Sequence, residues 1–283
     1  MAHFGERIRQ AAELQQNAWA VAFRTALLPI TSLVRRRDRH LLWRLSEVCF
    51  GAQRPGVYRE VTFNDLLNGS AAVHLQCLGS HSYNVTETEL LVIAALAREL
   101  GARTVFEIGT ADGRTTLNVA NNMPEGSTVF TLNLPLNQDS GHSQDVPVGY
   151  YFLDMETPAR IQQLWGDSKT FDFSPYAGTC QIVFIDGDHF EPGVTIDSEV
   201  AIRLVDRQNG IVLWHDALRF DVQTALPQFA QARNLPVHLI SGTNLAALFF
   251  WAGRAVLPQS WASARRRLIE QGDRTEYRLV AGT

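Results

Sequence analysis

Asp186, Asp188 and His189 follow one apolar run of this chain, and His215 and Asp216 follow another. Carboxylates and imidazoles at the ends of two neighbouring strands can converge on one rim, and three readings of such a cluster stand side by side. In the first, Asp186 and Asp216 together with His215 hold a divalent cation. Oxygen-rich ligation suits Mg2+ or Mn2+, and a bound ion lowers the pKa of a substrate hydroxyl. An imidazole in place of a carboxylate pulls against that reading, because nitrogen donors suit other ions better. In the second, no metal binds, and His189 or His215 takes a hydroxyl proton as general base with Asp186 in the catalytic set. A group that titrates near neutrality suits that task. In the third, the cluster is a structural network of ions and hydrogen bonds.

A second constellation lies upstream, in Glu107-Ile108-Gly109-Thr110-Ala111-Asp112-Gly113-Arg114-Thr115-Thr116. Gly109 and Gly113 lack a Cβ and so allow tight turns and close approach of backbone to a ligand. A helix that begins after them favours an anionic group near its first amides. As a glycine pattern alone the stretch is weakly informative, since it matches neither the phosphate loop with its GK[ST] ending nor a G-x-G-x-x-G. Asn133, Asp167 and Ser168 are further polar residues placed directly after predicted strands. Singly, Asp167 reads as a helix cap and Asn133 as a turn former. Together, at successive strand ends, they mark a crevice, because ligands of open parallel sheets sit beyond the carboxyl ends of the strands.

The elements that must position these residues alternate in type. Thr86 and Glu89 form a capping box, Leu90, Ile93, Ala94 and Ala97 follow at helical spacing, and Gly101 is placed to end the helix. Strands are predicted at Thr104–Ile108, Thr128–Leu132, Ile161–Trp165, Gln181–Ile185, Ile211–Trp214, Val237–Ile240 and Leu245–Phe250. Strands that alternate with helical stretches imply a mostly parallel sheet covered on both faces. Phe171, Phe173 and Tyr176 read as core or pocket wall. Upstream, broken apolar stripes (Ile8 to Trp19, Leu41 to Val48) predict a helical, irregular region. His81 and Tyr83 are weak substrate candidates there, and His142 lies in a Gly- and Ser-containing stretch that reads as a lid. From about Pro258 the chain is polar and Arg-rich and predicts one helix.

Bulk properties exclude some classes. The 283 residues fit one α/β domain with an extension, and 46% hydrophobic residues are enough for a sizeable core. A net charge of -4 gives no electrostatic footprint for nucleic acid. The basic run Arg35, Arg36, Arg37 and Arg39 reads as a solvated helix end. Ala18 to Val34 is broken by Arg24 and Pro29 and is too short to span a bilayer. No secretory signal is visible, and Cys49, Cys77 and Cys180 lack metal-ligand spacing. A cytoplasmic, soluble protein with reduced thiols is the expectation.

The stretch VFEIGTADGRTTLNVA, from Val105 to Ala120, resembles the first motif of class I S-adenosylmethionine-dependent methyltransferases, in the style of bacterial sugar and natural-product O-methyltransferases. Matches follow in order at Phe130–Pro135, Gly166–Ser168, Val183–His189 and Ile211–Asp216, so the resemblance spans about Asn84 to Phe250. It implies a seven-stranded, mostly parallel Rossmann-like sheet at 84–257; outside it lie the helical N-terminal extension expected at 1–83 and a tail at 258–283. Such an extension could cap the substrate side or mediate a homodimer. It also implies that Glu107, Gly109, Ala111, Asp112 and Gly113 line the methionine end of S-adenosylmethionine. Asn133 would face the ribose, Asp167 and Ser168 the adenine, and Asp186 would lie on the cofactor side of the rim. Related members hold a divalent cation with carboxylates where Asp186 and Asp216 stand. Asn133 departs from the acid usual at its position, which costs charge-assisted bonds to the ribose diol. The implied activity is methylation of a small-molecule hydroxyl. A cofactor-using enzyme of other chemistry and a non-catalytic binding module are the alternatives.

Overall fold

The computed structural model describes residues 58–67, 72–78, 85–135 and 146–268. They belong to a compact unit spanning Gly56–Thr283. The first apolar stripes, the arginine run, Cys49, His81, Tyr83 and His142 lie outside the described residues.

The elements in chain order are β1 (Arg59–Val61), α1 (Phe63–Leu66), α2 (Glu87–Leu100), β2 (Thr104–Ile108), α3 (Arg114–Ala120), β3 (Thr128–Asn133) and β4 (Arg160–Trp165). They continue with β5 (Ile182–Ile185), α4 (Gly193–Leu204), β6 (Asn209–Trp214), α5 (Val222–Ala232), β7 (His238–Ile240), β8 (Ala246–Trp251) and β9 (Arg254–Val256). Residues 258–268 form a last helix, α6. All seven predicted strands are present, and the capping box and the Gly101 stop frame α2 as expected.

The strands form one nine-stranded sheet in the order β1-β7-β8-β6-β5-β2-β3-β4, with β9 on β8. Pairing is parallel except around β8, which runs antiparallel to β6, β7 and β9. The expected seven strands are therefore two short of the sheet. β1 and β9 have three residues each, too few for a period-two pattern to register. β1 falls in the stretch read as helical and irregular, but Arg59 to Val61 pair in parallel with His238 to Ile240. β9 returns through Ala252 and Gly253, both at positive φ, as a two-residue hairpin requires.

The central strands bury both faces, which is why they read as continuous apolar runs. Ile182, Phe184, Ile211, Leu213 and Phe249 pack with α2 and with Trp261 of α6 on one side; Val183, Ile185, Val212 and Trp214 pack with α4 and α5 on the other. α6 is thus part of the core: Trp261 is fully buried beside Phe249, and the Arg265 guanidinium lies over its ring. Phe171, Phe173 and Tyr176 pack with Phe106 and Phe130 and form core wall. No helix among the described residues is long and apolar enough to cross a membrane.

The segment 72–78 is stitched along α3 and the turn after it by two asparagines four residues apart. Asn122 accepts from the His74 amide at 2.8 Å and donates to its carbonyl at 2.7 Å. Asn118 does the same for Gln76 at 2.7 and 3.0 Å. Each side-chain amide offers one acceptor and donors, so it substitutes for a neighbouring strand.

Candidate active site

The chain runs β2 to β3 to β4 in one direction across the sheet and then returns to β5 on the other side of β2. That reversal opens a crevice at the carboxyl ends of β2 and β5. The ladder continues past both strand ends: the Gly109 amide donates to the Leu132 carbonyl, Asp186 to Ile108 and His215 to Ile185. Every site loop consequently leaves the sheet at one level.

Gly109 sits at φ 103°, and a Cβ there would lie 2.1 Å from the Asp186 carbonyl oxygen. Its close approach is to the protein's own β5 loop. Gly113, at φ 81°, is similarly filled, since a Cβ would lie 2.5 Å from the Phe152 ring. The segment carrying Phe152 crosses the same loop, with Gly149 donating to the Ala111 carbonyl and Tyr151 to that of Asp112. Ala111 itself holds φ 47°, an uncommon conformation for a residue with a side chain. Asp112 is buried and accepts from the Arg114 amide at 3.1 Å.

Beneath this loop lies a polar chain. Gln163 donates to the Thr110 hydroxyl at 3.0 Å, Thr110 and Thr131 share a hydrogen bond of 2.7 Å, and the Thr131 and Thr116 hydroxyls donate to Glu107 Oε2. Thr131 is the register partner of Glu107 across β2 and β3, so the two side chains share a face. Burial outweighs both hydroxyls and raises the Glu107 pKa to about 8.

Asn133 ends β3 with its Oδ1 accepting from the Ala111 amide at 3.3 Å and its Nδ2 donating to the Leu134 carbonyl at 3.1 Å. Asp167 stands at the adjacent strand end, where Oδ1 caps a turn by accepting from the Lys169 amide at 2.9 Å. Ser168 lies beside the buried Asp197 of α4. Burial pushes that carboxyl up to about 6 against the pull of the Ser168 hydroxyl and the Asp188 backbone, although neither oxygen reaches hydrogen-bonding geometry.

The rim cluster assembles from two loops. Asp186, His189, His215 and Asp216 each offer one donor atom, and these four atoms lie within 4.8 Å of one another. His215 Nδ1 is 3.0 Å from Asp186 Oδ1 and 3.7 Å from Asp216 Oδ1. His189 Nε2 is 3.1 Å from Asp216 Oδ2 and 3.5 Å from Asp186 Oδ1. Arg219 donates to Asp216 Oδ1 at 3.1 Å. Asp188 stands apart in an exposed pair with Lys169 at 3.2 Å. Phe190 and Phe220 meet edge to face beside His189 and are exposed.

Charge in the cluster is mutually stabilised. Burial alone would raise Asp186, but the two imidazoles bring it down to about 2. Burial would lower His189 and His215, yet hydrogen bonds and charge from Asp186 and Asp216 raise His189 to about 9. His215, with Glu89 as a further partner, is raised well above its ordinary value. Its Nε2 faces Glu89 Oε2 at 3.3 Å, a contact between residues 126 positions apart. A histidine whose second nitrogen is held by a carboxylate is the usual arrangement around a bound metal. The donor set could therefore hold a divalent ion.

Of the predicted rim residues, Asp186, His189, His215 and Asp216 are thus brought together and Asp188 is not; the cofactor candidates stand at the ends of β2, β3, β4 and β5 and on the loops that follow them. Reading the sequence missed Glu89, Arg219, Thr116 and Thr131 as parts of the site. Glu89 was visible only as a cap, and no spacing in the sequence links it to His215.

Residues 106–217 match a family model described as a methyltransferase domain. Among curated proteins, none matches this chain. Several solved structures are similar to it over part of its length. An O-methyltransferase from Bacillus cereus in complex with S-adenosylhomocysteine is 19% identical, covering 60% of this chain and 83% of that one, with a TM-score of 0.38. TomG from Streptomyces achromogenes, an O-methyltransferase of tomaymycin synthesis bound to S-adenosylmethionine, is 19% identical over 60% and 82%, at 0.41. A putative O-methyltransferase from Klebsiella pneumoniae is 16% identical over 74% and 97%, at 0.44.

Proposed function

We propose that this chain, whose residues 106–217 match the methyltransferase-domain model, methylates a hydroxyl of a small molecule, a sugar or natural-product scaffold. S-adenosylmethionine is the donor, and a divalent cation sits at the rim cluster. One observation carries the reading: the glycine loop and the rim cluster meet at the switch point, where Gly109 packs directly on the Asp186 carbonyl. A cofactor on that loop would place its methyl beside His189, His215 and Asp216.

The rim suits such a cofactor because it is acidic. Asp112, Asp167 and Asp186 surround the crevice and complement a ligand that carries a sulfonium and an ammonium group. Glu107 and the backbone from Gly109 through Ala111 and Asp112 to Gly113 take its methionine end, Asn133 the ribose, and Asp167 with Ser168 the adenine. The sulfonium supplies an electrophilic methyl. Asp186, Asp216 and His215 Nδ1 would hold the cation, which when bound would lower the acceptor hydroxyl's pKa. The imidazole in the set favours Mn2+ over Mg2+, since magnesium is bound chiefly through oxygen. A cation drawing on the charge of Asp186 and Asp216, which otherwise keeps the imidazole protonated, would free His189, about a quarter exposed, to take the hydroxyl proton. Phe190 and Phe220, exposed beside His189, offer an apolar face to the acceptor.

A metal-free variant of the same reaction is favoured by Arg219, which already pairs with Asp216. The test is formation of S-adenosylhomocysteine with a panel of hydroxyl acceptors, before and after chelation. Asp216→Ala and His189→Ala, folded and cofactor-bound, are expected to lose turnover; full turnover in both would overturn the proposal. Loss of activity on chelation, restored by Mn2+, selects the cation, and retained activity selects the metal-free variant.

A further inference from the structure

Helix α2 starts beside the crevice, and its first turn carries Glu89, a residue with more partners than a helix cap needs. Its Oε2 accepts from the Thr86 amide at 2.8 Å and the Thr86 hydroxyl at 2.9 Å, and faces His215 Nε2 at 3.3 Å. Its Oε1 accepts from the Asn244 amide at 2.7 Å. The Asn244 carbonyl in turn accepts from the Ala217 amide at 2.9 Å, directly after Asp216. Glu89 is 3% exposed.

A capping glutamate completes its task at the surface, by reaching back to the cap amide. Burying one costs desolvation that the cap alone does not offset. Here the extra contacts all lead to one place. Asn244 ties Glu89 to the backbone behind Asp216, and His215 ties it to the rim cluster. An imidazole can flip about its Cβ–Cγ bond, which puts a ring carbon where each nitrogen stood. A carboxylate on Nε2 removes that freedom, because it binds the Nε2 proton and leaves Nδ1 aimed at Asp186.

We propose that Glu89 is a positioning residue of the rim cluster: by accepting the Nε2 proton of His215 it holds Nδ1 toward Asp186 and Asp216. The functional consequence rests on the reading of that cluster as a cation site, whereas the orientation of the ring does not. The glutamate in the first turn of α2 and the histidine that follows β6 thus form one device, in which α2 sets the geometry of the chemistry.

The test uses the full chain with Co2+ as probe, because its visible absorption reports nitrogen ligation. Glu89→Ala is expected to weaken Co2+ binding by about 10- to 100-fold, the usual effect of removing a carboxylate behind a metal-bound histidine. Glu89→Gln, which keeps an acceptor oxygen, is expected to recover part of it. Thr86→Ala removes the cap hydroxyl and leaves the His215 contact in place, so it should lower thermal stability without changing Co2+ affinity. Wild-type affinity in Glu89→Ala, or an equal loss in Thr86→Ala, would overturn the proposal. A second readout is independent of metal: in 15N-edited spectra of chelated protein, the His215 Nε2 proton is expected to be protected from exchange and to lose that protection in Glu89→Ala. If the wild-type chain binds no Co2+, the cation reading falls and this signal decides alone. Its loss in the variant supports the positioning role, and its persistence refutes it.

Discussion

His189 Nε2 lies 3.1 Å from Asp216 Oδ2, and the Asp216 backbone is held at φ 52°, a left-handed conformation that an aspartate adopts at a cost. The pairing keeps a proton on the imidazole. Burial works against that charge, but Asp186 and Asp216 raise the His189 pKa to about 9. A folded pKa above the unfolded one means that the pairing stabilises the fold below about pH 6.5 and loses that contribution as pH rises through 9. NMR titration of the His189 ring in chelated protein should show the elevated value, and Asp216→Asn should move it back toward the ordinary range. An unchanged titration in the variant would show that Asp216 does not set the His189 charge.

Glu107 behaves in the same sense for the opposite reason. Its carboxyl is buried and its pKa is raised to about 8, so the neutral acid belongs to the folded state. Stability from Glu107 is complete below about pH 4.5 and declines as pH rises toward 8. Glu107→Gln keeps a neutral hydrogen-bonding group for Thr116 and Thr131. Denaturant unfolding across this range should show a flatter pH profile in the variant, with a gain of on the order of a few kcal/mol near pH 8 by the conversion of about 1.4 kcal/mol per pKa unit. A parallel decline in both proteins would place the pH dependence elsewhere.

The legibility of this chain followed its physics. Strands buried on both faces, such as Ile182 to Ile185, read as continuous apolar runs, and the α2 boundaries were written in Thr86, Glu89 and Gly101. The rim cluster was readable because Asp186, His189, His215 and Asp216 all follow such runs. Contacts between elements were not. Glu89 meets His215 only when α2 is docked on the sheet, and Thr131 meets Glu107 only through the β2–β3 register. Three-residue β1 and β9 owe their existence to neighbouring edges rather than to their own pattern. Gly109 was legible as a residue needing no Cβ, but the atom that demands this, the Asp186 carbonyl, was not.

Asn133 offers a test of the cofactor side. Its amide accepts from Ala111 and donates to Leu134, which leaves a neutral group where an acid would make charge-assisted bonds to a diol. Asn133→Asp should tighten S-adenosylhomocysteine binding by about 1 kcal/mol, roughly fivefold, after losing the bond to Leu134. Calorimetry that shows weaker or unchanged binding would mean that residue 133 does not face the ribose.

Gly109→Ala is expected to be among the most damaging single changes in the fold. The added carbon would overlap the Asp186 carbonyl at a positive φ that alanine rarely adopts. Forced separation of β2 and β5 should cost on the order of a few kcal/mol, in the range of overpacked and strained positions. Thermal unfolding would reveal it, and wild-type stability would show that the two strand ends can move apart freely.

One crevice is proposed to take both the methyl donor and the cation. Titration calorimetry of the purified chain with S-adenosylmethionine and S-adenosylhomocysteine, each with and without Mn2+, tests it most directly. Micromolar binding of both ligands is predicted, with an added heat or tighter binding on Mn2+ addition that disappears in Asp216→Ala. Absence of binding under every condition would contradict the account and leave the crevice without its cofactor.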